Sequence, residues 1–196
     1  EIPLRLVGSE MCIRDRFSGM FTSKAKAAES GKKYTFEGTE LEAATTAGKY
    51  TDGQAVNAGT DNAFTLYMSA KTKIDGSEKT WSDGYICAQR VNFGGKADVT
   101  NMKNLVSFKT SNAAKVKVYW VEGGADNRQI AIFGSKGDVV TKTEVTAAKN
   151  EAVVSTLELA DAGTYYLGGL ENNNYIFKIC LLYTSDAADD RISVDL

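Results

Sequence analysis

The sequence predicts an all-β fold, an antiparallel β-sandwich of the jelly-roll type. Two observations predict it. Apolar and polar residues alternate with period two along several short segments, as they do in half-buried strands. Clusters of glycine, aspartate and asparagine separate these segments at short intervals, which is typical of a sandwich of many short strands rather than of an α/β fold.

Three segments alternate most clearly, at 63–69, 86–93 and 114–120. Further strands are predicted at 34–37, 104–110, 128–133, 138–142, 152–159, 163–168 and 174–179. A short helix is allowed near 39–43 or 145–150. The alternation also predicts which side chains enclose the core between the two sheets: Phe64, Leu66, Val91, Phe93, Phe108, Val116, Val118, Ile130, Ile132, Tyr165 and Leu167.

Both ends of the chain resemble translated sequencing-adapter DNA. Met11–Arg16 (MCIRDR) and Cys180–Ser185 (CLLYTS) can be encoded by DNA strings that are reverse complements, and the adapter-like stretches cover 7–16 and 180–190. The alternative is a coincidence of codon degeneracy. We therefore expect 1–16 and 180–196 to be non-native segments that pack poorly against the rest. The predicted organisation between them is a linker at 17–32 and one β-sandwich module at 33–179.

Composition excludes several functions. Lys and Arg number 23 and Asp and Glu 25, and the 17–179 segment is nearly neutral, so nucleic-acid binding has no electrostatic support. Histidine is absent, which excludes Ser–His and Cys–His nucleophiles. Cys87 is the only cysteine between the two end segments, so neither a disulfide framework nor a multi-cysteine metal site is expected. No apolar run is long enough to suggest a membrane-spanning helix.

Short runs along 33–179 share their order and spacing with one family of accessory modules. They are YTFEGTEL at 34–41, SDG at 82–84, QRVNFGG at 89–95, LVSFKT at 105–110, AKVKVY at 114–119, NRQIA at 127–131, AGTYYLG at 162–168 and NYIF at 174–177. The set resembles the non-catalytic module appended to pectate lyases and other plant-polysaccharide-degrading enzymes of anaerobic gut and rumen bacteria. This resemblance implies a carbohydrate-binding β-sandwich, not itself an enzyme, in a secreted or cell-surface bacterial protein with a neighbouring catalytic domain.

Two arginines are the first candidate ligand-binding residues. Arg90 and Arg128 are the only arginines of 17–179, and both lie within the family-like runs. A guanidinium fork matches a planar carboxylate, such as that of galacturonate, so we predict that both converge on an acidic sugar. The alternative is that each pairs with a nearby acid, such as Asp83 or Asp126.

Aromatic side chains are the second kind of candidate, because sugar rings stack on flat aromatic faces. Trp81 lies in a polar run and is expected on an exposed loop. Tyr119 shares a polar strand face with Lys117, and both are candidates, although a solvated outer face explains the pattern equally well. Trp120 alternates with Val118 and is either a core residue or a platform at the rim.

Three functions compete on this basis. The first is a carbohydrate-binding module whose partner is a plant cell-wall polysaccharide, pectin or a related glycan. The second is a structural or adhesive spacer domain of a bacterial surface protein without a sugar site. The third, an enzyme, is disfavoured because no paired-carboxylate or nucleophile constellation is visible. No cofactor is expected, although loop aspartates would allow a structural calcium ion; they are Asp75, Asp83, Asp98 and Asp126.

Overall fold

A computed structural model of the chain describes residues 31–124, 128–144 and 150–183. This part is a β-sandwich of two antiparallel sheets, with short 3-10 turns at Gly38–Glu40 and Thr60–Asn62. The strands are β1 (Lys33–Glu37), β2 (Ala55–Ala58), β3 (Phe64–Tyr67), β4 (Lys73–Thr80), β5 (Ile86–Asn92), β6 (Leu105–Thr110), β7 (Ala114–Glu122), β8 (Ile130–Phe133), β9 (Val139–Lys142), β10 (Ala152–Leu159), β11 (Gly163–Gly169) and β12 (Asn174–Tyr183). The predicted all-β sandwich is confirmed. Nowhere in the described ranges is there a helix with the length and apolar character needed to span a membrane.

The first sheet, sheet A, has the strand order β10-β7-β12-β5-β4, and β1 also pairs with β12. β7 runs along the whole of one edge of β12. The other edge is shared, because β5 pairs with Tyr175 and Ile176 whereas β1 pairs with the part that begins at Lys178. A register shift between Ile176 and Lys178 marks the point where the neighbour changes. β12 is therefore the central strand of sheet A.

The second sheet, sheet B, has the order β2-β3-β6-β11-β8-β9. Its inner face packs on sheet A through the predicted alternation. All eleven side chains predicted to enclose the core belong to one buried cluster, and none is more than 8% exposed. Since a strand slipped by one residue would turn its whole core face outward, this agreement confirms which face of each strand was predicted to be buried.

Two strands, β2 and β4, have no counterpart in the predicted set. Both lie at sheet edges. The sequence of β4 (KIDGSEKT) is mostly charged or polar and contains Gly76, so it does not resemble a half-buried strand. An edge strand pairs on one side only and tolerates such a sequence, because much of it faces water. The predicted helix region near 39–43 overlaps the turn at Gly38–Glu40, and 145–149 lie outside the described residues.

β12 continues beyond the predicted module boundary at 179. Leu181 pairs with Tyr34 of β1 and with Val116 of β7, and it is only 1% exposed. Tyr183 is also buried, and its hydroxyl donates a hydrogen bond to the carbonyl oxygen of Lys109 at 3.2 Å. The expectation that residues from 180 onward pack poorly is therefore wrong for 180–183. The reason is that Leu181 and Tyr183 continue the alternation of Ile179 and so face the core. The remaining parts of the two end segments, 1–16 and 184–196, lie outside the described residues.

Candidate functional site

Three of the predicted ligand-binding residues lie together on the outer face of sheet A. Lys117 and Tyr119 alternate with the core residues of β7 and therefore point away from sheet B. Trp81, which follows β4, packs on the same face, with its ring centroid 5.7 Å from that of Tyr119. The rings of Trp81 and Tyr119 pack with those of Tyr85 and Phe177, and we call these four side chains the outer-face aromatic cluster.

Trp81 is not exposed, so that expectation is wrong. Only 3% of the residue is accessible, and its indole N–H donates to the carbonyl oxygen of Val153 at 3.1 Å. Its ring centroid lies 4.9 Å from that of Phe177 and 5.5 Å from that of Tyr85. The polar residues around Trp81 form a turn in which its backbone N–H bonds the carbonyl oxygen of Tyr85, and this turn lies on the sheet. No ring face of Trp81 is left for a sugar.

Trp120 lies in the core between the sheets. It is fully buried, and its indole N–H donates to the Ser155 hydroxyl at 3.0 Å. Of the two predicted positions for Trp120, in the core or on the rim, the structure shows the core. A sugar cannot reach this ring without opening the sandwich.

Tyr119 and Lys117 are both engaged by one carboxylate, that of Asp83. The Tyr119 hydroxyl donates to Asp83 Oδ2 at 2.7 Å, and Lys117 Nζ lies 2.9 Å from the same oxygen. These two bonds, from Tyr119 first and Lys117 second, lower the pKa of the Asp83 carboxyl from 3.8 to about 2. Burial raises the pKa of the Tyr119 hydroxyl, so it stays a donor. The pair thus holds the 81–85 turn against the sheet.

Arg90 has a different environment at the other side of this face. Its Nε lies 2.6 Å from Asp75 Oδ1 on β4, and its guanidinium carbon lies 3.8 Å from the centroid of the Tyr175 ring. The alternative, that Arg90 pairs with a nearby acid, agrees with the structure, but the acid is Asp75 and not Asp83, because the β4–β5 register places Asp75 directly opposite Arg90. Nη1 and Nη2 make no hydrogen bond to any described residue. The fork is held in place with its two terminal nitrogens unused.

Two further donors lie beside Arg90. Lys73, Asn92 and Tyr175 are cross-strand partners in one row of the sheet, next to the row that holds Asp75 and Arg90. Lys73 makes no ion pair with a described residue. The Asn92 side chain uses its oxygen, which accepts from the backbone N–H of Gly94, and its Nδ2 has no partner among the described residues. Arg90, Lys73, Asn92 and Tyr175 together are called the arginine patch below.

Arg128 lies at the same end of sheet A. Its Nη1 donates to the carbonyl oxygen of Asn173 at 2.7 Å and to its side-chain oxygen at 2.6 Å. Asn173 in turn donates through Nδ2 to Asn92 at 3.2 Å. Arg128 Nε also lies 3.9 Å from the fully buried carboxylate of Glu122. The other acid expected as its partner, Asp126, lies outside the described residues. Arg128 therefore holds Asn173 in place, and Asn173 connects it to Asn92 of the arginine patch.

Lys73, Asn92 and Tyr175 are not among the site residues that the sequence predicts, and Asp75 is named there only as an aspartate that would allow a calcium ion. The ring of Tyr175 lies half-exposed on the outer face, and its hydroxyl donates to the carbonyl oxygen of Gly123 at 3.2 Å. The signal that could identify them is the position of polar residues at alternate places on β4 and β5. That signal becomes useful only once the pairing of the two strands is known.

Of the aspartates expected in loops, Asp75 lies on strand β4 instead. Asp75 and Asp83 form the ion pairs described above, and Asp98 accepts hydrogen bonds from Asn101. Across the three described ranges there is no group of three or more Cys, Asp or Glu side chains arranged to hold a metal ion.

Comparison with known proteins gives structural similarity only. No family model matches the sequence, and no curated protein matches it. Three solved carbohydrate-binding modules are similar to the chain. The CBM22-1 xylan-binding domain of a Paenibacillus barcinonensis protein is 13% identical, with 82% of this chain and 100% of that chain covered and a TM-score of 0.41. A CBM35 module from Cellvibrio japonicus is 11% identical, with 79% and 95% covered and a TM-score of 0.40. The C-terminal CBM6 module of a laminarinase from Zobellia galactanivorans is 12% identical, with 77% and 99% covered and a TM-score of 0.36.

Proposed function

We propose that the chain is a non-catalytic carbohydrate-binding module directed to acidic plant glycans such as pectin. In this proposal it serves a secreted bacterial protein and holds a neighbouring catalytic domain near the polysaccharide. The observation that carries the proposal is the guanidinium of Arg90, which is fixed by Asp75 and Tyr175 while both terminal nitrogens stay unused. The family-like runs of the sequence, which include Arg90 and Asn92, support the same function.

The chemistry of the arginine patch favours an acidic ligand. The unused groups of Arg90, Lys73 and Asn92 are all hydrogen-bond donors, so the ligand has to supply acceptors. A uronate carboxylate supplies two acceptor oxygens in the planar geometry that a guanidinium fork matches. Asp75 neutralises only one of the two cations, so the patch keeps a net positive charge that attracts an anion.

The carboxylates of this face support binding rather than catalysis. Asp75, Asp83 and Glu37 are each paired with a cation, namely Arg90, Lys117 and Lys178. A carboxylate held in an ion pair is a poor general base, because the cation already engages its oxygens. With no histidine in the sequence, these residues supply no proton-transfer group at the patch.

The proposal is tested by calorimetric titration of oligogalacturonates from de-esterified pectin, with neutral xylan and glucan oligomers as comparisons. We expect wild-type dissociation constants of about 10 μM to 1 mM, which are normal for one shallow site. Arg90→Ala should weaken oligogalacturonate binding about tenfold or more, and Arg90→Lys should recover part of the loss, because the charge remains but the fork is gone. Lys142→Ala, which removes an exposed cation from sheet B, is the matched control and should bind as the wild type does. Added salt should weaken the acidic ligand most.

The second candidate function, a structural spacer, is favoured by one observation. The rings of Trp81, Tyr119 and Trp120 are buried and offer no stacking platform. If the wild type binds no plant glycan in these titrations, the spacer becomes the better assignment. If binding survives in Arg90→Ala and in Lys73→Ala, the module binds glycan but not through the arginine patch.

A further inference from the structure

A cleft of about 430 Å³ opens at the end of the sandwich opposite the arginine patch. We call it the end cleft. Its lining includes charged and amide side chains, hydroxyls and aromatic rings, among them Tyr34, Asp61, Asn62, Lys109 and Thr164. Its volume lies within the range of about 300–1,000 Å³ that is usual for small-ligand sites. No predicted site residue contributes to it.

The end cleft exists because one ladder of sheet B stops early. β3 pairs with β6 only as far as Phe64 opposite Phe108. On the other side of β6, β11 continues to Gly163 opposite Thr110. Beyond Phe64 the chain leaves the sheet in the turn at Thr60–Asn62, so the end of β6 has no neighbour on that side. The half-exposed Tyr34 of sheet A lines this gap, with the buried Leu181 behind it.

The turn that borders the cleft holds an unusual backbone conformation. Asp61 and Asn62 have φ values of 55° and 54°, in the left-handed region that non-glycine residues seldom adopt. Gly59, with φ of 78°, approaches so closely that a Cβ would lie 2.6 Å from the carbonyl oxygen of Thr35. The Gly59 N–H donates to the Glu40 carboxylate at 2.9 Å, which fixes the start of the turn. A conformation of this cost is kept where the surroundings impose it, and here it places two polar side chains on the cleft.

Five polar side chains of the cleft have no hydrogen bond or ion pair within the described ranges. They are the carboxylate of Asp61, the amide of Asn62, the hydroxyls of Ser107 and Thr164, and the ammonium of Lys109. The carboxylate can only accept hydrogen bonds, and the ammonium can only donate them. A ligand hydroxyl can donate to the carboxylate of Asp61 and accept from the ammonium of Lys109. An anionic ligand would be repelled by Asp61, and a cationic ligand would be repelled by Lys109. The set therefore matches a neutral ligand with several hydroxyls.

The apolar part of the lining matches the same class of ligand. Phe108 and Leu181 belong to the core and lie at the floor of the cleft, but at 2% and 1% exposure they offer a ligand almost no surface. The half-buried ring of Tyr34 borders the cleft. Lys32 Nζ lies over this ring, 4.7 Å from its centroid, and the Tyr183 ring makes an edge-to-face contact with it at 6.0 Å. A pyranose has one C–H-rich face and hydroxyls around its rim, so it can place that face on a tyrosine ring while its rim meets the polar side chains.

We propose that the end cleft is a second binding site, which takes one neutral sugar unit. It does not depend on the arginine patch, because the ten residues of β12 separate Asn174 at one end from Tyr183 at the other, about 30 Å. Leu181 and Tyr183 belong to the adapter-like segment, but the five unpartnered polar side chains all come from the predicted module. The two sites thus differ in position and in ligand charge.

The experiment is NMR chemical-shift mapping of the whole chain with methyl β-xyloside, methyl β-glucoside, methyl β-galactoside and xylobiose, each at about 10 mM, where a millimolar site is well occupied. We expect at least one of them to shift the backbone amides of residues 60–65, 107–109 and 164, and to leave those of 73, 90 and 92 unchanged. Asp61→Asn should weaken this ligand about fivefold, since asparagine keeps the backbone conformation but loses the charge-assisted acceptor. Thr164→Val should weaken it about threefold through loss of one neutral hydrogen bond. Glu78→Gln and Thr80→Val on β4 are the matched controls and should bind as the wild type does.

The outcome also separates this site from the arginine patch. Arg90→Ala should leave the shifts at the end cleft intact, whatever it does to oligogalacturonate binding. If none of the four neutral saccharides shifts the amides of the cleft in the wild type, the proposal is overturned. It is also overturned if the shifts occur but Asp61→Asn and Thr164→Val both bind as tightly as their controls. If one variant does not fold, the test still holds. The wild-type map alone shows whether a saccharide binds in the cleft, and the remaining variant shows whether the named side chains contribute.

Discussion

The guanidinium carbon of Arg90 lies 3.8 Å from the centroid of the Tyr175 ring, while Asp75 holds Nε from the neighbouring strand. The ring and the carboxylate restrict the side chain along two different directions. An arginine that is already ordered loses less conformational entropy when it binds a ligand. This relationship gives the patch its pre-organised fork, and it can be tested apart from the charge of Arg90.

The ring of Tyr175 should matter more than its hydroxyl for ligand binding. Tyr175→Leu removes the stacking surface, and we expect a loss of about 1–2 kcal/mol in stability together with a several-fold weaker affinity for oligogalacturonate. Tyr175→Phe removes only the hydrogen bond to Gly123, so it should cost about 1 kcal/mol in stability and leave the affinity unchanged. Urea denaturation and calorimetry measure the two effects. Equal affinities for the two variants would show that the ring does not orient Arg90.

The core face of β7 should not tolerate a charge. Val118 is fully buried, and its strand lies between β10 and β12. Val118→Asp would bury an unpaired carboxylate, and we expect a loss of at least about 3 kcal/mol in the free energy of unfolding. Thr156→Asp is the control, because Thr156 is an exposed residue on the adjacent strand β10, opposite Lys117. If Val118→Asp unfolds at the same urea concentration as Thr156→Asp, the assignment of the core face is wrong.

The core could be predicted because period-two alternation fixes the face of each residue before any pairing is known. Val116 and Val118 share one face of β7 and Lys117 and Tyr119 the other, whichever strands lie alongside. Only a few strands lacked this pattern. They are edge strands such as β4, whose polar sequence carries no information about which side faces the core.

The candidate site could not be predicted in the same way, because its contacts depend on register between strands. Asp83 is closer to Arg90 in sequence than Asp75 is, but Asp75 is its cross-strand partner, and a register shift between Gly76 and Lys79 separates the two parts of β4. Trp81 has polar neighbours that predict exposure, yet the rings of Tyr119 and Phe177 cover it. Neither the Arg90–Asp75 pair nor the covering of Trp81 can be recognised from the residues next to them in the sequence.

The hydrogen bond from Tyr119 to Asp83, together with the ion pair between Asp83 and Lys117, should make part of the stability depend on pH. The folded-state pKa of Asp83 is about 2, below its usual 3.8, so the unfolded state binds more protons between these values. The stabilisation is therefore complete above about pH 4 and is lost as the pH falls through about 2. We expect Asp83→Asn to melt below the wild type near neutral pH and the difference to shrink in this acid window. Glu78→Gln removes an exposed carboxylate without a partner in the described part of the chain. Its difference in melting temperature from the wild type should not change in this pH range.

The position at which β12 ends should decide the stability of sheet A. A chain that ends at Tyr183 keeps every cross-strand pair of β12, whereas a chain that ends at Ile179 loses the pairs of Leu181 with β1 and β7. It also loses the buried side chains of Leu181 and Tyr183, and with them at least about 4 kcal/mol. The shorter chain should therefore melt well below the longer one in calorimetry, although the four residues that distinguish them resemble adapter sequence. Equal melting temperatures would mean that residues 180–183 add nothing to the fold and that the module ends at 179, as its sequence alone predicts.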